Sequence, residues 1–540
     1  MIIFQREKII IIFSGFVLFF MIIGLNLFRI QYVQSTFFTK LAEDQYSMCL
    51  KLAPPRGELF DRHGTLLAIN KECESAFITP CNIKDKKNLK RFLKKHFPSA
   101  HERLTTHEKS RFMFIKRKLN IEEKKIIADA HLEDIYFLQE AARAYPHSCS
   151  TLITGTTNID NNGLFGIELS YNNYLAGEPT YYSLEKEART GYFIKKEIAR
   201  EGKTSKSIRL TLDNNLQFLA HQELHETATA LHAQEGAVLI MDPDTGDILT
   251  MTQFPDCDPD HIDAIETTKN IITSNVYEFG SVMKIFPALA AFEEDVVTPD
   301  ELIDCENTKT TFIKGMRINT WKPHGILTYA EVIQNSNNIG TSKVSARLGN
   351  TLYDHYRRCG FGQKTNITLP GEVSGFVNPP HLWSTASIFS LSFGYEVNAT
   401  LLQLASAVSM IANGGHFIKP RITFQEPIQK STDTVYSKAT LTTIKKILTD
   451  TITYGTAHQA AIEGYTVWGK TGTANLLEDG VYNPDKNIFT FVMVIEKNNY
   501  KRVVVTFIKE ILQKNVFAST IAAPLAEKIS KKMLIHDKII

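Results

Sequence analysis

The segment "EFGSVMKIFPALAAF", Glu278–Phe292, carries a serine and a lysine three residues apart at the head of an apolar run. Residues i and i+3 share one face of a helix, so the lysine amine is predicted to reach the serine hydroxyl. A serine hydroxyl is a weak nucleophile until a base removes its proton, which makes Ser281 and Lys284 a candidate pair. Ser-x-x-Lys is common by chance. A second copy, Ser183-Leu-Glu-Lys186, has no companion motifs, and we predict that it lies in a surface loop.

Two further motifs follow the first in a defined order. Ser336-Asn337-Asn338 opens a second apolar helical run, and Lys470-Thr471-Gly472 ends a strand-like run and occurs once. A lysine is almost wholly protonated at neutral pH, but burial and the like charge of Lys470 favour the neutral amine of Lys284. Ser336 is then predicted to relay a proton to the leaving amine. The order and setting of the three motifs are typical of active-site-serine penicillin-recognising enzymes.

The remaining motif residues are predicted to bind substrate. Asn338 would hold a substrate amide, and the hydroxyls of Thr471 and Thr473, with Lys470, would suit a carboxylate. The small Gly472 and the strand edge would let a peptide lie alongside as an added strand. The backbone N–H groups of residues 281 and 473 would form an oxyanion hole.

Composition excludes several classes of function. The chain has 540 residues, 43% hydrophobic and 22% charged, which favours two or three ordinary globular domains. A formal net charge of +2 gives no reason to expect a nucleic-acid partner. The seven cysteines form no Cys-x-x-Cys pair, which argues against a zinc site or a thioredoxin-like motif, and the sequence predicts no disulfide framework. The chemistry of the three motifs is expected to need no metal or cofactor.

The N-terminal run Ile9–Phe28 contains only Ser14 and Asn26 as polar residues. Its length corresponds to about 30 Å of helix, the thickness of the hydrocarbon core of a bilayer. Arg6 and Lys8 precede it, so the positive-inside rule predicts a cytoplasmic N-terminus and a single-pass anchor. A cleaved signal peptide would have a shorter apolar region and a small-residue cleavage site. A buried soluble helix would show a polar face.

Apolar periodicity predicts an α+β fold. Two strands flank the turn at 242–246, and three more runs rich in β-branched and aromatic residues lie near the C-terminus, with a long helical stretch between. This pattern predicts an antiparallel sheet built from both ends of the segment and packed against helices. The lysine-rich segment 84–97 is predicted to be an amphipathic surface helix.

Further stretches complete a resemblance. "APPRGELFDRHGTLLA" (53–68), "NGLFGIELSYNNYLAGEPT" (162–180), "YEFGSVMK" (277–284) and "GTAHQAAIEGYTVWGKTGTA" (455–474) are similar to segments of class B penicillin-binding proteins. These proteins are monofunctional peptidoglycan D,D-transpeptidases. "ASIFSLSFGYE" and "FGQKTNITLPGEVSG" resemble the septal, division-type branch more than the elongation branch.

The resemblance implies a domain order and a set of partners. Residues 1–8 would be a cytoplasmic tail, 9–28 a transmembrane helix, 29–203 a periplasmic pedestal of the dimerisation type, and 204–540 the transpeptidase domain. The latter would hold a five-stranded antiparallel sheet flanked by helices and an all-helical subdomain. The implied partners are the D-Ala-D-Ala stem peptide, β-lactams as covalent inhibitors, a SEDS-type glycan polymerase, divisome proteins and the inner membrane.

The sequence also departs from the family pattern. Phe279 replaces the usual proline, Glu396 stands where glycine is common, and Pro287 is expected to bend the nucleophile helix in its second turn. Three other functions share some of these features: a serine β-lactamase, a bifunctional polymerase-transpeptidase, and a catalytically silent β-lactam sensor or divisome scaffold. The long segment before residue 201 disfavours a β-lactamase. The lack of room for a glycosyltransferase domain disfavours a bifunctional enzyme, and the intact motifs disfavour a silent sensor or scaffold.

Overall fold

The computed structural model describes residues 2–52, 54–110, 112–186, 193–257 and 268–539. The chain forms two compact units, Met1–Pro55 with Ala176–Ser205 and Arg56–Leu175 with Lys206–Ile540. The elements up to residue 209 are α1 (Ile2–Phe28), a π-helical turn (Arg29–Val33), α2 (Ser35–Tyr46), β1 (Ser47–Leu52), β2 (Leu59–Phe60), β3 (Leu66–Ile78), α3 (Lys86–His96), α4 (Pro98–Thr106), β4 (Met113–Lys116), α5 (Ile121–Asp129), β5 (Tyr136–Ala144), α6 (Thr151–Thr154), α7 (Gly166–Ser170), α8 (Asn172–Ala176), β6 (Thr180–Lys186), β7 (Phe193–Arg200) and β8 (Ile208–Arg209).

The first unit begins with the apolar helix α1. The segment Lys8–Val33 has a mean hydropathy of 2.6 and none of it is buried, so it is long and apolar enough to cross a membrane. The predicted span 9–28 lies within α1, and the helix fits a single-pass membrane anchor. In the same unit β1, β6 and β7 form an antiparallel sheet.

The second copy of Ser-x-x-Lys, residues 183–186, lies in strand β6, so the prediction that it forms a surface loop is wrong. Residues i and i+3 of a strand lie on opposite faces of the sheet, whereas they share one face of a helix. The register of β6 therefore puts positions 183 and 186 on opposite faces of the sheet, unlike positions 281 and 284.

Residues 56–175, which we call the pedestal segment, form part of the second unit. Among the described residues, β4, β3, β2 and β8 pair in this order and β5 also pairs with β3; the β2–β8 pairing is parallel. Helix α3 is the predicted basic surface helix, with Leu89 and Leu93 buried and its lysines largely exposed. The boundary between pedestal and transpeptidase at residues 203–204 remains a prediction.

A buried ion-pair triad joins two of the sequence segments that resemble the family. Glu168 is fully buried and binds Arg56 at 2.6 Å and Arg143 at 2.7 Å, with both arginine side chains at most 3% exposed. Removing one member of such a group leaves an unpaired buried charge, which costs about 3–5 kcal/mol. Asp61 accepts the N–H of Asn214, which ties the pedestal segment to the next helix.

The elements after residue 209 are α9 (Asn214–Leu231), β9 (Glu235–Met241), β10 (Ile248–Phe254), α10 (Ile271–Ser274), a 3₁₀ turn (Gly280–Lys284), α11 (Ile285–Glu293), β11 (Leu302–Asp304), β12 (Thr310–Ile313), β13 (Met316–Asn319), β14 (Ile326–Thr328), α12 (Tyr329–Gln334), α13 (Asn338–Leu348), α14 (Thr351–Arg358), β15 (Phe376–Val377), α15 (Ser387–Ser392), β16 (Val397–Asn398), α16 (Leu401–Ala412), β17 (His416–Ile418), β18 (Lys430–Thr434), α17 (Lys438–Thr453), β19 (Thr466–Glu478), β20 (Val481–Lys497), β21 (Tyr500–Lys509) and α18 (Ala518–His536).

The predicted antiparallel sheet is confirmed. Among the described residues five strands pair in the order β10-β9-β21-β20-β19, and every pairing is antiparallel. Alternate residues of β21 face two cores: Val503 and Val505 pack with the helical region that includes α11 and α16, while Val504 packs with α9 and α18. Because both faces are buried, the strands are almost continuously apolar and do not alternate with polar residues.

Helix α11 is the central helix of the larger core, and Ile285–Phe292 are all buried. A helix that is apolar on every side is stable only when it is surrounded by protein. The α-helical geometry begins at Ile285, after the 3₁₀ turn, so Pro287 lies in the first α-helical turn. The missing N–H of Pro287 is one of the groups that have no intrahelical partner there. The change of helix type thus accommodates the proline that was expected to bend this helix.

Glu396 has a left-handed backbone, with φ of 60°, at the position where glycine is common in the family. Its N–H donates to Glu278 at 2.7 Å, which holds the conformation. A non-glycine residue in this region costs about 1–3 kcal/mol. We expect Glu396→Gly to raise the free energy of unfolding by about 1 kcal/mol in thermal denaturation. Glu396→Ala is the control, because it removes the charge but keeps the strained backbone, and an equal gain from alanine would contradict the explanation.

Candidate active site

Ser281 lies in the 3₁₀ turn Gly280–Lys284, directly before the buried helix α11. The turn begins at Gly280, which has φ of 54°, and a Cβ atom there would lie 2.7 Å from the carbonyl oxygen of Thr473. Glycine is therefore required both by the backbone conformation and by the close approach of β19. The turn presents Ser281 half-buried at the wall of a cleft.

Lys284 is fully buried and its Nζ atom joins two of the three predicted motifs. Nζ lies 2.8 Å from Oγ of Ser281, 3.0 Å from Oγ of Ser336 and 2.9 Å from the carbonyl oxygen of Ser336. Ser336 has a left-handed φ of 54°, which brings its carbonyl and its hydroxyl to the same amine. The first and second motifs are thus in direct contact.

The surroundings of Lys284 favour its neutral form. Burial, and then the positive charge of Lys470, lower the pKa of Lys284 well below the usual lysine value. A neutral amine has two N–H donors and one lone pair. Ser336 offers two acceptors for the donors, and the lone pair is then directed toward the hydroxyl proton of Ser281. The three contacts match the capacity of an uncharged amine.

Lys470 lies on β19 and is also fully buried, and burial lowers its pKa to about 7. Its nearest hydrogen-bond contact is long, 3.5 Å to the carbonyl oxygen of Thr471. In the part of the chain that the structure describes, the ion pairs do not include Lys284 or Lys470. Among the described residues neither buried amine has a carboxylate partner, so a negatively charged ligand group would be attracted to the protonated form of Lys470.

Lys470→Met is expected to raise the free energy of unfolding at pH 7 by on the order of 3 kcal/mol. In the unfolded chain this lysine has a pKa of about 10.4. In the folded chain burial lowers its pKa to about 7, so the folded protein releases the proton at a lower pH. The free energy of unfolding of the wild-type protein should therefore increase as the pH rises from 7 toward 10. In the variant this increase should be smaller. Denaturant titrations between pH 6 and 10 would measure the slope of the free energy of unfolding against pH. Lys322→Met, at an exposed lysine of the same cleft, should leave the slope unchanged.

Gly472 was predicted to make room for substrate. In the structure, the space where a side chain would lie is occupied by the backbone of the turn that carries Ser281. A Cβ atom at Gly472 would lie 2.3 Å from the carbonyl oxygen of Phe279 and 2.8 Å from the backbone nitrogen of Val282. The glycine thus lets β19 touch the turn that carries Ser281. The family's proline position, here Phe279, forms part of the same contact and is 1% exposed.

We expect Gly472→Ala to lower the free energy of unfolding by about 2–3 kcal/mol and to slow acylation of Ser281, because two backbone segments must separate. Thermal denaturation and the rate of penicillin labelling would measure the two effects. Gly325→Ala is a matched control, since a Cβ atom there has no neighbour within 4 Å. A Gly472→Ala protein with wild-type stability and labelling would refute the contact.

A cleft of about 540 Å³ opens beside Ser281. Its lining includes Ser336, Asn338, Thr471 and Thr473, so the substrate-binding residues predicted from the sequence, except Gly472 and Lys470, border it directly. The described lining residues contain a lysine and a histidine but no carboxylate or cysteine. The cleft therefore suits an anionic ligand and offers no ligand set for a metal.

Several polar groups of the cleft are already held in position. One N–H of the Asn338 amide donates to the carbonyl oxygen of Asn319 at 2.6 Å. The hydroxyl of Thr473 accepts the N–H of Ala518, the first residue of α18, at 3.1 Å. The hydroxyl of Thr471 lies 3.4 Å from that of Thr456. These contacts orient the side chains before any ligand binds.

The sequence interpretation missed the aromatic walls of the cleft. Trp321, Tyr454 and Phe517 are 48%, 82% and 50% exposed, and the Trp321 and Phe517 rings are 6.4 Å apart. They come from three distant segments, and no motif connects them. Their common signal is a large, exposed aromatic residue outside the regular helices and strands.

Comparison with known families identifies the two parts of the chain. The family model described as the penicillin-binding protein transpeptidase domain matches residues 236–531, and that of the penicillin-binding protein dimerisation domain matches residues 51–210. The chain belongs to the class B penicillin-binding proteins. The family predicted from the sequence motifs is thereby confirmed, as is the mixed α/β architecture.

Individual relatives of this penicillin-binding protein cover most of its length. It is 30% identical to stage V sporulation protein D of Bacillus subtilis over 98% of this chain and 85% of that protein. It is 28% identical to the peptidoglycan D,D-transpeptidase FtsI of Escherichia coli over 80% of this chain and 75% of that protein. The crystal structure of penicillin-binding protein 3 from Mycobacterium tuberculosis in complex with aztreonam has the same fold, with a TM-score of 0.68 and 24% identity over 91% of this chain and 98% of that chain.

Proposed function

We propose that this protein cross-links peptidoglycan stem peptides through an acyl-enzyme on Ser281 and contributes to septal wall synthesis. The observation that carries the proposal is the 2.8 Å separation between Oγ of Ser281 and the buried amine of Lys284, which lacks a carboxylate partner among the described residues. Such an amine can act as a base at neutral pH, because burial and the positive charge of Lys470 favour its uncharged form.

In the acylation step Oγ of Ser281 attacks the carbonyl carbon of the penultimate D-Ala, and Lys284 takes the hydroxyl proton. The negative charge that develops on the carbonyl oxygen is stabilised by the backbone N–H groups of Ser281 and Thr473. Ser336 donates its hydroxyl proton to the leaving nitrogen and takes a proton from Lys284 in return. The C–N bond then breaks, and the terminal D-Ala leaves as an amine. The products are an ester on Ser281 and free D-Ala.

In the second step an amine of a neighbouring stem peptide attacks the ester. Lys284 and Ser336 take its proton and return one to Oγ of Ser281, which leaves as the restored hydroxyl. The new amide bond replaces the one that was broken, so the cycle needs no external energy source, metal or cofactor. The outcome is decided by which nucleophile reaches the ester, an amine or water.

Substrate binding follows from the charge and the edge of the cleft. The terminal carboxylate of the stem peptide would be bound by the hydroxyls of Thr471 and Thr473 with the charge of Lys470. The pKa of Lys470 is lowered to about 7, and an anion beside it would restore its proton. Among the described residues β19 is an edge strand, so its free side can pair with an extended peptide. Asn338 would bind the amide of the adjacent residue.

The cellular setting is argued from the anchor and from the sequence resemblance. Arg6 and Lys8 before the apolar helix support a cytoplasmic N-terminus, with the two matched domains in the periplasm. The segments "ASIFSLSFGYE" and "FGQKTNITLPGEVSG" support the division branch, with a SEDS-type glycan polymerase and divisome proteins as partners. An elongation-type role in the side wall is the alternative, and localisation of a fluorescent fusion at midcell or along the wall separates the two.

The chemical proposal is tested on the wild-type protein by mapping the residue that penicillin acylates. The intact protein in detergent is incubated with penicillin, digested, and analysed by mass spectrometry, with an expected adduct on the peptide that contains Ser281. A long-lived adduct together with cross-linking of stem peptides supports a transpeptidase. Rapid turnover of penicillin would indicate a β-lactamase, and absence of an adduct would indicate a silent scaffold.

A further inference from the structure

One face of helix α9 carries three polar side chains at intervals of four residues, Gln217, His221 and His225. Residues four apart in a helix lie one above the other on the same face. This face is directed toward strand β10, as the contacts of Gln217 show. Its amide donates to the carbonyl oxygen of Met251 at 2.9 Å and accepts the N–H of the same residue at 2.9 Å.

The double hydrogen bond fixes the position of β10 along α9. One turn further along the helix, His221 meets Asp256, which lies two residues after the end of the strand. Nε2 of His221 is 2.7 Å from Oδ2 of Asp256. Their side chains are 19% and 24% exposed, so solvent reaches the pair from one side.

His225 completes the cluster one turn after His221. The two imidazole ring centroids are 4.8 Å apart, and the ring of His225 packs against the edge of Phe254 at 5.0 Å. Nε2 of His225 is buried and has no hydrogen-bond partner among the described residues. A buried polar atom without a partner is costly, so a ligand that accepts its lone pair would be stabilising.

We propose that His221, His225 and Asp256 form a binding site for a divalent transition-metal cation of the zinc class. One ligand atom from each residue lies within 4.8 Å of the other two. Two imidazole nitrogens and one carboxylate oxygen are a ligand set that suits Zn²⁺, with water in the fourth position. A helical His-x-x-x-His pair supplies two of the ligands from adjacent turns.

A second group of similar composition in the described residues is less suited to a cation. In the cluster of His63, Asp213 and His536, both imidazole Nε2 atoms already bind the same carboxylate oxygen, at 3.0 and 2.9 Å. The cavity beside it is lined by three cationic side chains, Arg62, Arg502 and Lys538, against the carboxylates of Asp213 and Asp537, so its net positive charge opposes a cation. At His225, by contrast, Nε2 has no hydrogen-bond partner among the described residues, and its neighbours in the cluster are the His221 ring and the Asp256 carboxylate.

A cation at this site would join α9 to the chain just beyond β10. Among the described residues β10 is the edge strand at the end of the sheet opposite β19, so the metal would reinforce the edge that does not border the catalytic cleft. The proposed role is structural and separate from acylation of Ser281. Binding should therefore raise the melting temperature without being required for penicillin labelling.

The full-length protein in detergent, stripped of metal with a chelator, is titrated with Zn²⁺ by isothermal calorimetry and with Co²⁺ by absorption spectroscopy. We expect one saturable equivalent, a rise in melting temperature, and Co²⁺ bands of the intensity typical of four-coordinate ions. His225→Ala and Asp256→Asn should each lower the affinity at least about 100-fold. His63→Ala should leave it unchanged.

Penicillin labelling of each variant shows that it is folded, since these residues lie outside the cleft. Loss of binding in both cluster variants together with wild-type binding in His63→Ala supports the site. Absence of saturable binding in the wild-type protein, or binding that persists in both cluster variants, would overturn the proposal. Loss in His63→Ala alone would likewise overturn it and assign the metal to the other cluster.

Discussion

Replacement of Ser281 by alanine is expected to abolish covalent labelling by penicillin, with a loss of at least about 10³-fold in acylation rate. The methyl group of alanine cannot form an ester. Among the described hydroxyls that line the cleft, Ser336 also contacts Nζ of Lys284, but in the proposed mechanism it relays a proton and does not attack the carbonyl. The variant should fold, since Ser281 is at the cleft wall and its removal leaves no large cavity. Fluorescent penicillin on a gel and intact-protein mass spectrometry give the measurement.

Ser183→Ala is the matched control, because it removes the serine of the other Ser-x-x-Lys copy, which lies in strand β6. It should label like the wild-type protein. Labelling that survives in Ser281→Ala, or that disappears in Ser183→Ala, would show that the nucleophile is elsewhere. The melting temperature of each variant distinguishes lost chemistry from lost structure.

Lys284→Met is expected to lower the acylation rate by about 10³-fold while the protein remains folded. Methionine fills a similar volume but cannot accept a proton. In the wild-type protein the base must be neutral, so the rate should rise with pH through the pKa of Lys284. Burial and Lys470 lower that pKa, and the rate should therefore reach its plateau well below pH 10.

Two further variants make the test of Lys284 specific. Lys284→Arg places a permanent cation at the site, because a guanidinium does not lose its proton, so this variant should be as inactive as the methionine variant. Lys322→Met, in the same cleft, should retain the wild-type pH profile. An active arginine variant would mean that a positive charge, rather than a proton acceptor, is what the site requires.

The fold was predictable where hydrophobic periodicity is strong. The sequences of β9, β10, β20 and β21 are apolar because both faces of the sheet are covered by helices. The apolar residues of α9 recur at helical spacing. The contact within the first motif was also predictable, since Ser281 and Lys284 are three residues apart in sequence. The family was predictable because the segments that resemble it are spread over nearly the whole chain.

Other features depend on tertiary contacts that no local pattern encodes. The close approach of Gly472 to Phe279 and Val282 was not predicted, because these residues are far away in sequence and meet it only when β19 packs against the turn. The aromatic walls come from loops whose positions are set by packing elsewhere. The helix-type change before Pro287 was missed because periodicity of three and of 3.6 residues differ little over one turn.

The tight contact of Gly280 and Gly472 across β19 and the nucleophile turn restricts how the protein can evolve under antibiotic selection. Neither glycine has room for even a methyl group, since the added atom would meet a backbone carbonyl oxygen at 2.7 or 2.3 Å. Adaptive substitutions that weaken β-lactam binding without loss of growth should therefore be found at other residues that line the cleft, such as the exposed aromatic residues Trp321, Tyr454 and Phe517.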